Sequence, residues 1–190
     1  MFRIILLGLI FLWWVLELAL LQFRHEPYPK TFQLQWLHVI VFVSIFLGMF
    51  FSNTSIGQIS IRGAWVGGVL GMLIMMGGIG LRLWALYTRY HRKRDELLVT
   101  PPYDKIRHPA YAGLLLTAIG LGVGFWNYIA LVLLVAPLIF MTDQRVQQEE
   151  KELLGHFGED YQAYAEKTDA LFPEKYLKKE WKRFRRNHFS

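Results

Sequence analysis

Long runs of apolar residues are the feature that most constrains how this chain folds. The run "IILLGLIFLWWVLELALL", residues 4–21, contains one charged residue, and comparable runs follow further along the chain. A helix needs about 20 mostly apolar residues to cross the hydrocarbon core of a bilayer, where charged side chains are costly. The chain has 190 residues, of which 54% are hydrophobic. Together with the long apolar runs, this composition predicts an all-α, polytopic integral membrane protein.

Five transmembrane helices are predicted, at roughly residues 4–21, 36–51, 64–87, 111–125 and 128–142. The first run could be mistaken for a signal peptide. No small-residue cleavage site follows it, however, and further spans lie downstream, so it is predicted to remain as a helix. The last two runs are short and are separated only by the dipeptide "WN". They therefore predict a tight helical hairpin.

Small and charged residues within these runs predict how the helices pack. Glycines cluster in the third and fourth predicted helices, Gly71 and Gly120 among them, and predict close helix contact through small residues. Arg82 lies two residues after Gly80 near the end of an apolar helix, so its guanidinium must reach the membrane surface or find an anionic partner.

Lysine and arginine are distributed unevenly between the two sides of the predicted membrane protein. With an odd number of spans and the basic C-terminal tail in the cytoplasm, the N-terminus lies outside, because cytoplasmic flanks carry an excess of basic residues. The region after the last span predicts an amphipathic helical segment, followed by the basic stretch "KKEWKRFRRNHF". Such a stretch suits anionic membrane lipid. The net charge of +6 therefore predicts contact with lipid and no nucleic-acid partner.

Two polar regions flank the predicted hairpin on its cytoplasmic side. In "DKIRHPAYAG", Pro109 suits the first turn of a helix and His108 its cap. In "DQRVQQEEKELL", the spacing i, i+4 puts Arg145 and Glu149 on one helix face. Because a hairpin returns the chain to the side it left, we expect one pocket lined by Tyr103, Arg107, His108, Tyr111, Arg145, Glu149 and Glu150. The alternative interpretation is that these residues are ordinary membrane-helix flanks and a solvated helical extension.

Three blocks of this sequence resemble the isoprenylcysteine carboxyl methyltransferase family in their order and spacing. They are "GIGLRLWA", "LLVTPPYDKIRHPAYAG" and "RVQQEEKELLGHFGEDYQAYAEKTDALFP", and they span roughly residues 78–173. The resemblance implies an integral membrane methyltransferase that uses S-adenosylmethionine on a lipophilic or lipidated acceptor, with its active site facing the cytoplasm. It implies one domain over residues 1–190: helices one and two in 1–63, a cofactor-binding core in 64–173, and a basic tail in 174–190.

The resemblance, taken with the expected pocket, also implies which residues bind. The cofactor contacts are Glu96, Leu97, Leu98, Val99, Tyr103, Arg107, His108, Pro109, Ala110, Tyr111 and Glu149. Arg145 matches a family arginine that faces the acceptor, and it is the expected catalytic residue together with Glu150. Two features depart from the family pattern. Pro101 stands where glycine is usual, and the basic stretch "RYHRKRDE" replaces the aromatic and small residues that usually follow Trp84.

The chemistry of methyl transfer fits these residue types. Glutamate carboxylates accept hydrogen bonds from ribose hydroxyls or an ammonium group, and His108 suits the carboxylate of the cofactor. Tyr103 or Tyr111 suits the adenine or the sulfonium. A carboxylate acceptor needs no general base, whereas an amine or thiol acceptor needs one, from Glu150 or His108. The resemblance favours an isoprenylcysteine-like carboxylate, but these residues alone leave the acceptor open.

No metal centre is predicted, because methyl transfer needs none and the chain lacks cysteine ligands. Two other functions stay open. A membrane sterol-type reductase using NADPH has a related C-terminal half, but usually carries asparagine where this chain has Ala110. A non-enzymatic lipid-binding membrane protein has polar ends that are merely solvated. In that protein, replacing His108 or Glu149 leaves every ligand interaction unchanged.

Overall fold

The computed structural model describes residues 8, 10, 11, 15, 43–51, 53, 54, 56–59, 64–91 and 96–174. Its helices are α1 (Ala64–Tyr90), α2 (Pro109–Gly124), α3 (Tyr128–Phe157) and α4 (Glu159–Lys167). Residues 43–51 are helical as well. Within these ranges there is no strand, only two isolated bridges, so the all-α prediction is confirmed for them. Most of the predicted span 4–21, the first part of span 36–51 and the basic tail lie outside the described residues.

The predicted hairpin is confirmed: three residues separate α2 from α3. The backbone turns through the left-handed region at Trp126 (φ 53°). Asn127 then caps α3, with its Oδ1 accepting from the amides of Ile129 at 2.9 Å and Ala130 at 3.1 Å. The Asn127 amide group donates to the carbonyls of Phe51 and Ile56, so one fully buried side chain fixes the turn and the segment before α1.

Helix α2 begins where the sequence predicts. Pro109 is its first residue, and the His108 carbonyl accepts from the amides of Tyr111 and Ala112 at 3.1 and 3.0 Å. Proline suits this position because the first amides of a helix have no intrahelical partner. His108 is therefore held at the helix start by backbone geometry.

The helical segment predicted after the fifth span is confirmed, and it is continuous with that span. Helix α3 continues without a break for 30 residues to Phe157. The apolar stretch stops near Met141, but the glutamine, glutamate and lysine residues that follow are strong helix formers. The helix ends only at Gly158, where φ is 53°, and α4 begins directly after it.

Length and composition make α1 and α3 candidate membrane spans, and α2 is a shorter apolar helix. Large apolar side chains on these helices are exposed, among them Trp65, Leu73 and Phe140. An outward-facing apolar surface is unfavourable in water and typical of lipid contact.

The chain divides into two compact units. The first contains residues 1–79 and 115–141, with a core built around Met75, Leu121, Phe125 and Leu134. Here α1 and α2 touch backbone to backbone: a Cβ on Gly71 would lie 2.3 Å from the Gly124 amide nitrogen. The prediction of glycine-mediated packing is confirmed at this crossing.

The second unit contains residues 80–114 and 142–190. It includes every residue that the sequence predicts for the functional site. Arg82 is buried here and donates from Nη1 to the Ala110 carbonyl at 2.8 Å, a neutral backbone oxygen near the start of α2. An anionic partner for Arg82 stays a prediction. The predicted single domain with its three parts stays a prediction.

Candidate active site

His108 lies at the centre of the second unit, between two glutamates. Its Nδ1 is 3.6 Å from Glu149 Oε2, and its Nε2 is 3.3 Å from Glu150 Oε1. The imidazole is 2% exposed, whereas the two carboxylates are 21% and 31% exposed. The structure thus brings together the residue that caps α2 and the acidic pair on α3, although about 40 residues separate them along the chain.

Each glutamate has an arginine of its own. Arg107 lies against Glu150 Oε1, with Nε at 2.9 Å and Nη2 at 2.8 Å. Arg89, in the last turn of α1, places Nη1 3.1 Å from Glu149 Oε1. The cluster therefore pairs two carboxylates with two guanidinium groups around one imidazole, which balances charge in a partly buried place.

Arg107 also bonds the C-terminal end of α4 and the residue that follows it. Its Nη1 donates to the carbonyls of Ala165 at 3.0 Å and Thr168 at 2.5 Å. Around it, residues 105–108 pair with residues 169–170. The Arg107 amide donates to the Asp169 carbonyl at 2.8 Å, and the His108 amide donates to the Ala170 carbonyl at 3.0 Å. We call this pairing the C-terminal clip. Its geometry gives Arg107 a structural role, and cofactor contact by Arg107 stays a prediction.

Three tyrosines, Tyr103, Tyr161 and Tyr164, are buried or partly buried near the clip and the acidic pair. Tyr103 is buried and donates its hydroxyl to the Ala85 carbonyl at 3.2 Å, while Tyr164 donates to the Tyr103 carbonyl at 2.6 Å. Burial, followed by the charge of Glu150, raises the pKa of Tyr161 to about 12. Burial also raises the pKa of Tyr164. Because a neutral phenol is favoured at both sites, Tyr161 and Tyr164 stay protonated near neutral pH.

The remaining predicted cofactor residues lie in two places. Glu96, Leu97, Leu98 and Val99 form a segment without regular secondary structure, in which the two leucines are half-buried. Pro109 and Ala110 open α2, and the ring of Tyr111 lies 6.0 Å from that of His108, centroid to centroid. Tyr111 thus lies beside the imidazole of His108. Cofactor contact by residues 96–99 stays a prediction.

Arg145 and Thr142 carry buried polar atoms that have no hydrogen-bond partner among the described residues. The atoms are Arg145 Nη2 and Thr142 Oγ1. They are three residues apart on α3, so their side chains are neighbours on its surface. A buried polar group left unpaired costs about 1–3 kcal/mol. Two neighbouring unpaired groups indicate a binding site, at which a ligand would supply the missing hydrogen-bond partners.

Sequence reasoning missed Arg89, Thr142, Tyr161 and Tyr164. In the sequence, Arg89 resembles the basic residues that usually flank a membrane helix. No neighbouring residue indicates that it contacts Glu149, 60 positions away. The only signal is that "RYHRKRDE" departs from the family pattern at this point. Within the described residues, no group of three or more histidine, aspartate or glutamate side chains is arranged to hold a metal ion.

Comparison with known proteins places this site inside a matched region. Residues 71–155 match the model of the isoprenylcysteine carboxyl methyltransferase (ICMT) family. The predicted family resemblance is confirmed. The ICMT-matched region contains His108, both glutamates and the two arginines that pair with them. Tyr161, Tyr164 and residues 169–170 of the clip lie C-terminal to it.

The ICMT region is also shared with curated proteins. A protein-S-isoprenylcysteine O-methyltransferase of Schizosaccharomyces pombe is 34% identical over 83 residues, which are 43% of this chain and 35% of that protein. The nickel-cobalt-cadmium resistance protein NccN of Alcaligenes xylosoxydans xylosoxydans is 33% identical over 113 residues, 57% of this chain and 52% of that protein. The chain thus spans about a third of the length of the first relative and about half of the second.

The ICMT fold is supported by a solved structure. The eukaryotic intramembrane Ras methyltransferase ICMT superposes with a TM-score of 0.55 at 21% sequence identity. The superposition covers 77% of this chain and 54% of that one. At this identity, the likeness concerns the fold.

Proposed function

We propose that this chain is an integral membrane methyltransferase that uses S-adenosylmethionine to methylate a lipophilic acceptor. The observation that carries the proposal is the position of His108 between Glu149 and Glu150, inside the region that matches the ICMT family. A balanced cluster of this kind suits a ligand that itself carries both an ammonium and a carboxylate group.

The residues of the site fit S-adenosylmethionine by their chemistry. When bound, the cofactor supplies an electrophilic methyl group on its sulfonium. The side chains of Glu149 and Glu150 remain partly exposed beside their arginine partners, and carboxylates accept hydrogen bonds from ribose hydroxyls or an ammonium group. The ring of Tyr111 borders this place and offers an aromatic face to a cation or to adenine.

Arg145 is proposed to orient the acceptor. Its Nη2 is buried without a partner, next to the equally unpaired hydroxyl of Thr142, and such donors suit an anionic oxygen. A carboxylate acceptor held there needs no general base, and alignment of the reactants alone supplies on the order of several kcal/mol. Names of relatives, such as protein-S-isoprenylcysteine O-methyltransferase, support an isoprenylcysteine-like carboxylate. If the acceptor is an amine or thiol, Glu150 or His108 takes the proton.

We propose that the site faces the cytoplasm, with five spans and the N-terminus outside. Support comes from the basic flanks and from the length of α3. At 1.5 Å per residue its 30 residues extend about 45 Å, which exceeds a hydrocarbon core of about 30 Å. The polar half that carries Glu149 and Glu150 is the part that is left in water.

Binding of S-adenosylmethionine to the purified full chain in detergent tests the proposal. We expect calorimetric titration to show saturable binding of S-adenosylmethionine and none of NADPH. His108→Ala and Glu149→Ala should each weaken the affinity at least about tenfold, because each removes a polar partner of the ligand. Glu152→Ala is the matched control, since it removes an exposed carboxylate on the same helix.

Each of the other outcomes would support a different function for this chain. Binding of NADPH in place of S-adenosylmethionine would favour the reductase. Lipid binding that survives both substitutions, with neither nucleotide bound, would favour a non-enzymatic lipid-binding protein. Elution volume in size-exclusion chromatography establishes that the variants are folded.

A further inference from the structure

The ion pair between Arg89 and Glu149 has a geometry that the ICMT pattern does not account for. Arg89 Nη1 meets one carboxylate oxygen of Glu149 at 3.1 Å, and the other oxygen lies 3.6 Å from His108 Nδ1. One oxygen of the carboxylate thus contacts the guanidinium, and the other lies near the imidazole. Arg89 is the first residue of the basic stretch that departs from the family pattern.

Electrostatics explains why Glu149 needs a partner. Glu149 and Glu150 are consecutive residues, and both carboxylates approach the same imidazole. Two like charges that approach one group repel each other unless cations compensate them. Arg107 compensates Glu150 through two nitrogens, and Arg89 supplies a matching charge for Glu149.

The partly buried setting gives this ion pair more weight than a surface pair. The side chains of Arg89 and Glu149 are 28% and 21% exposed, so water screens them less than it screens a fully solvated pair. Arg89 also lies in the last turn of α1, where a cation is favoured by the helix dipole.

We propose that Arg89 is a positioning residue for Glu149. It keeps that carboxylate turned toward His108, where the carboxylate is placed to receive the ammonium group of the methyl donor. The inference rests on the proposed function and adds to it one residue, from α1, that acts on the ligand only through Glu149.

A double-mutant cycle on the affinity for S-adenosylmethionine tests this role. We expect Arg89→Ala to weaken binding about 5- to 20-fold and Arg89→Lys to stay within about threefold of wild type, because lysine keeps the charge. In a Glu149→Gln background, Arg89→Ala should cost less than about twofold further, since the carboxylate that it positions is gone. Lys151→Ala, which removes an exposed cation from α3, is the control and should change nothing.

Three results would overturn the inference. If Arg89→Ala leaves the affinity unchanged, Arg89 has no role at the site. If it costs as much in the Glu149→Gln background as in wild type, Arg89 contacts the ligand directly or acts on the whole fold, which melting temperatures separate. If the wild-type chain binds no S-adenosylmethionine, the proposed function fails and this inference falls with it, whereas failure of the cycle alone leaves the proposed function standing.

Discussion

At the scale of single residues, the site combines groups that are fully paired with groups that are not. Arg107 uses three of its nitrogens on Glu150 and on two carbonyls. Arg145 Nη2 and Thr142 Oγ1, by contrast, are buried without partners among the described residues. Paired groups hold a structure in place, whereas unpaired buried groups cost stability that a ligand restores. This difference separates the structural arginine from the one that we assign to the acceptor.

Two buried threonines give a matched test of that distinction. Thr142 has an unpaired hydroxyl, while Thr168, equally buried, donates its hydroxyl to the Tyr164 carbonyl at 2.8 Å. We expect Thr168→Val to lower the free energy of unfolding by about 1 kcal/mol and Thr142→Val to leave it unchanged or to raise it. Thermal melting of the ligand-free protein in detergent measures both. A larger loss for Thr142→Val than for Thr168→Val would show that the Thr142 hydroxyl is satisfied.

At the scale of elements, the C-terminal clip ties the chain after α4 to the loop before α2. Residues 105–108 and 169–170 share backbone hydrogen bonds, Arg107 bonds two carbonyls near the end of α4, and Tyr164 bonds the Tyr103 carbonyl. Since His108 takes part through its own amide, the clip also fixes the residue at the centre of the site.

Replacing Arg107 should therefore loosen the C-terminal segment. We expect Arg107→Ala to destabilise the protein by about 2–3 kcal/mol, because it removes charge-assisted hydrogen bonds and leaves Glu150 without its cation. Hydrogen exchange should speed up at the amide of Asp169, which donates to the Lys105 carbonyl. Lysine cannot reproduce the planar fork of arginine, so Arg107→Lys should restore only part of this protection. Unchanged exchange in Arg107→Ala would show that the backbone pairing alone holds the clip.

At the scale of the whole molecule, local sequence signals predicted the elements better than the contacts between them. Pro109 fixed the start of α2, the short "WN" connection fixed the hairpin, and the hairpin brought His108 toward Glu149 and Glu150. The fifth predicted span and the helical segment predicted after it form one helix, α3, because helix propensity continues where the apolar run stops. Arg89 and the clip were missed because their partners lie about 60 residues away, where no periodicity connects them.

The central claim is that the place between His108 and Glu149 holds the methyl donor. The most direct measurement is an experimental structure of the full chain with S-adenosylhomocysteine, the demethylated form of that donor, at saturating concentration. We expect density for the ligand against the imidazole of His108 and the carboxylate of Glu149, with its thioether sulfur directed toward Arg145. Density for the ligand elsewhere, with this place filled by solvent or side chains, would contradict it.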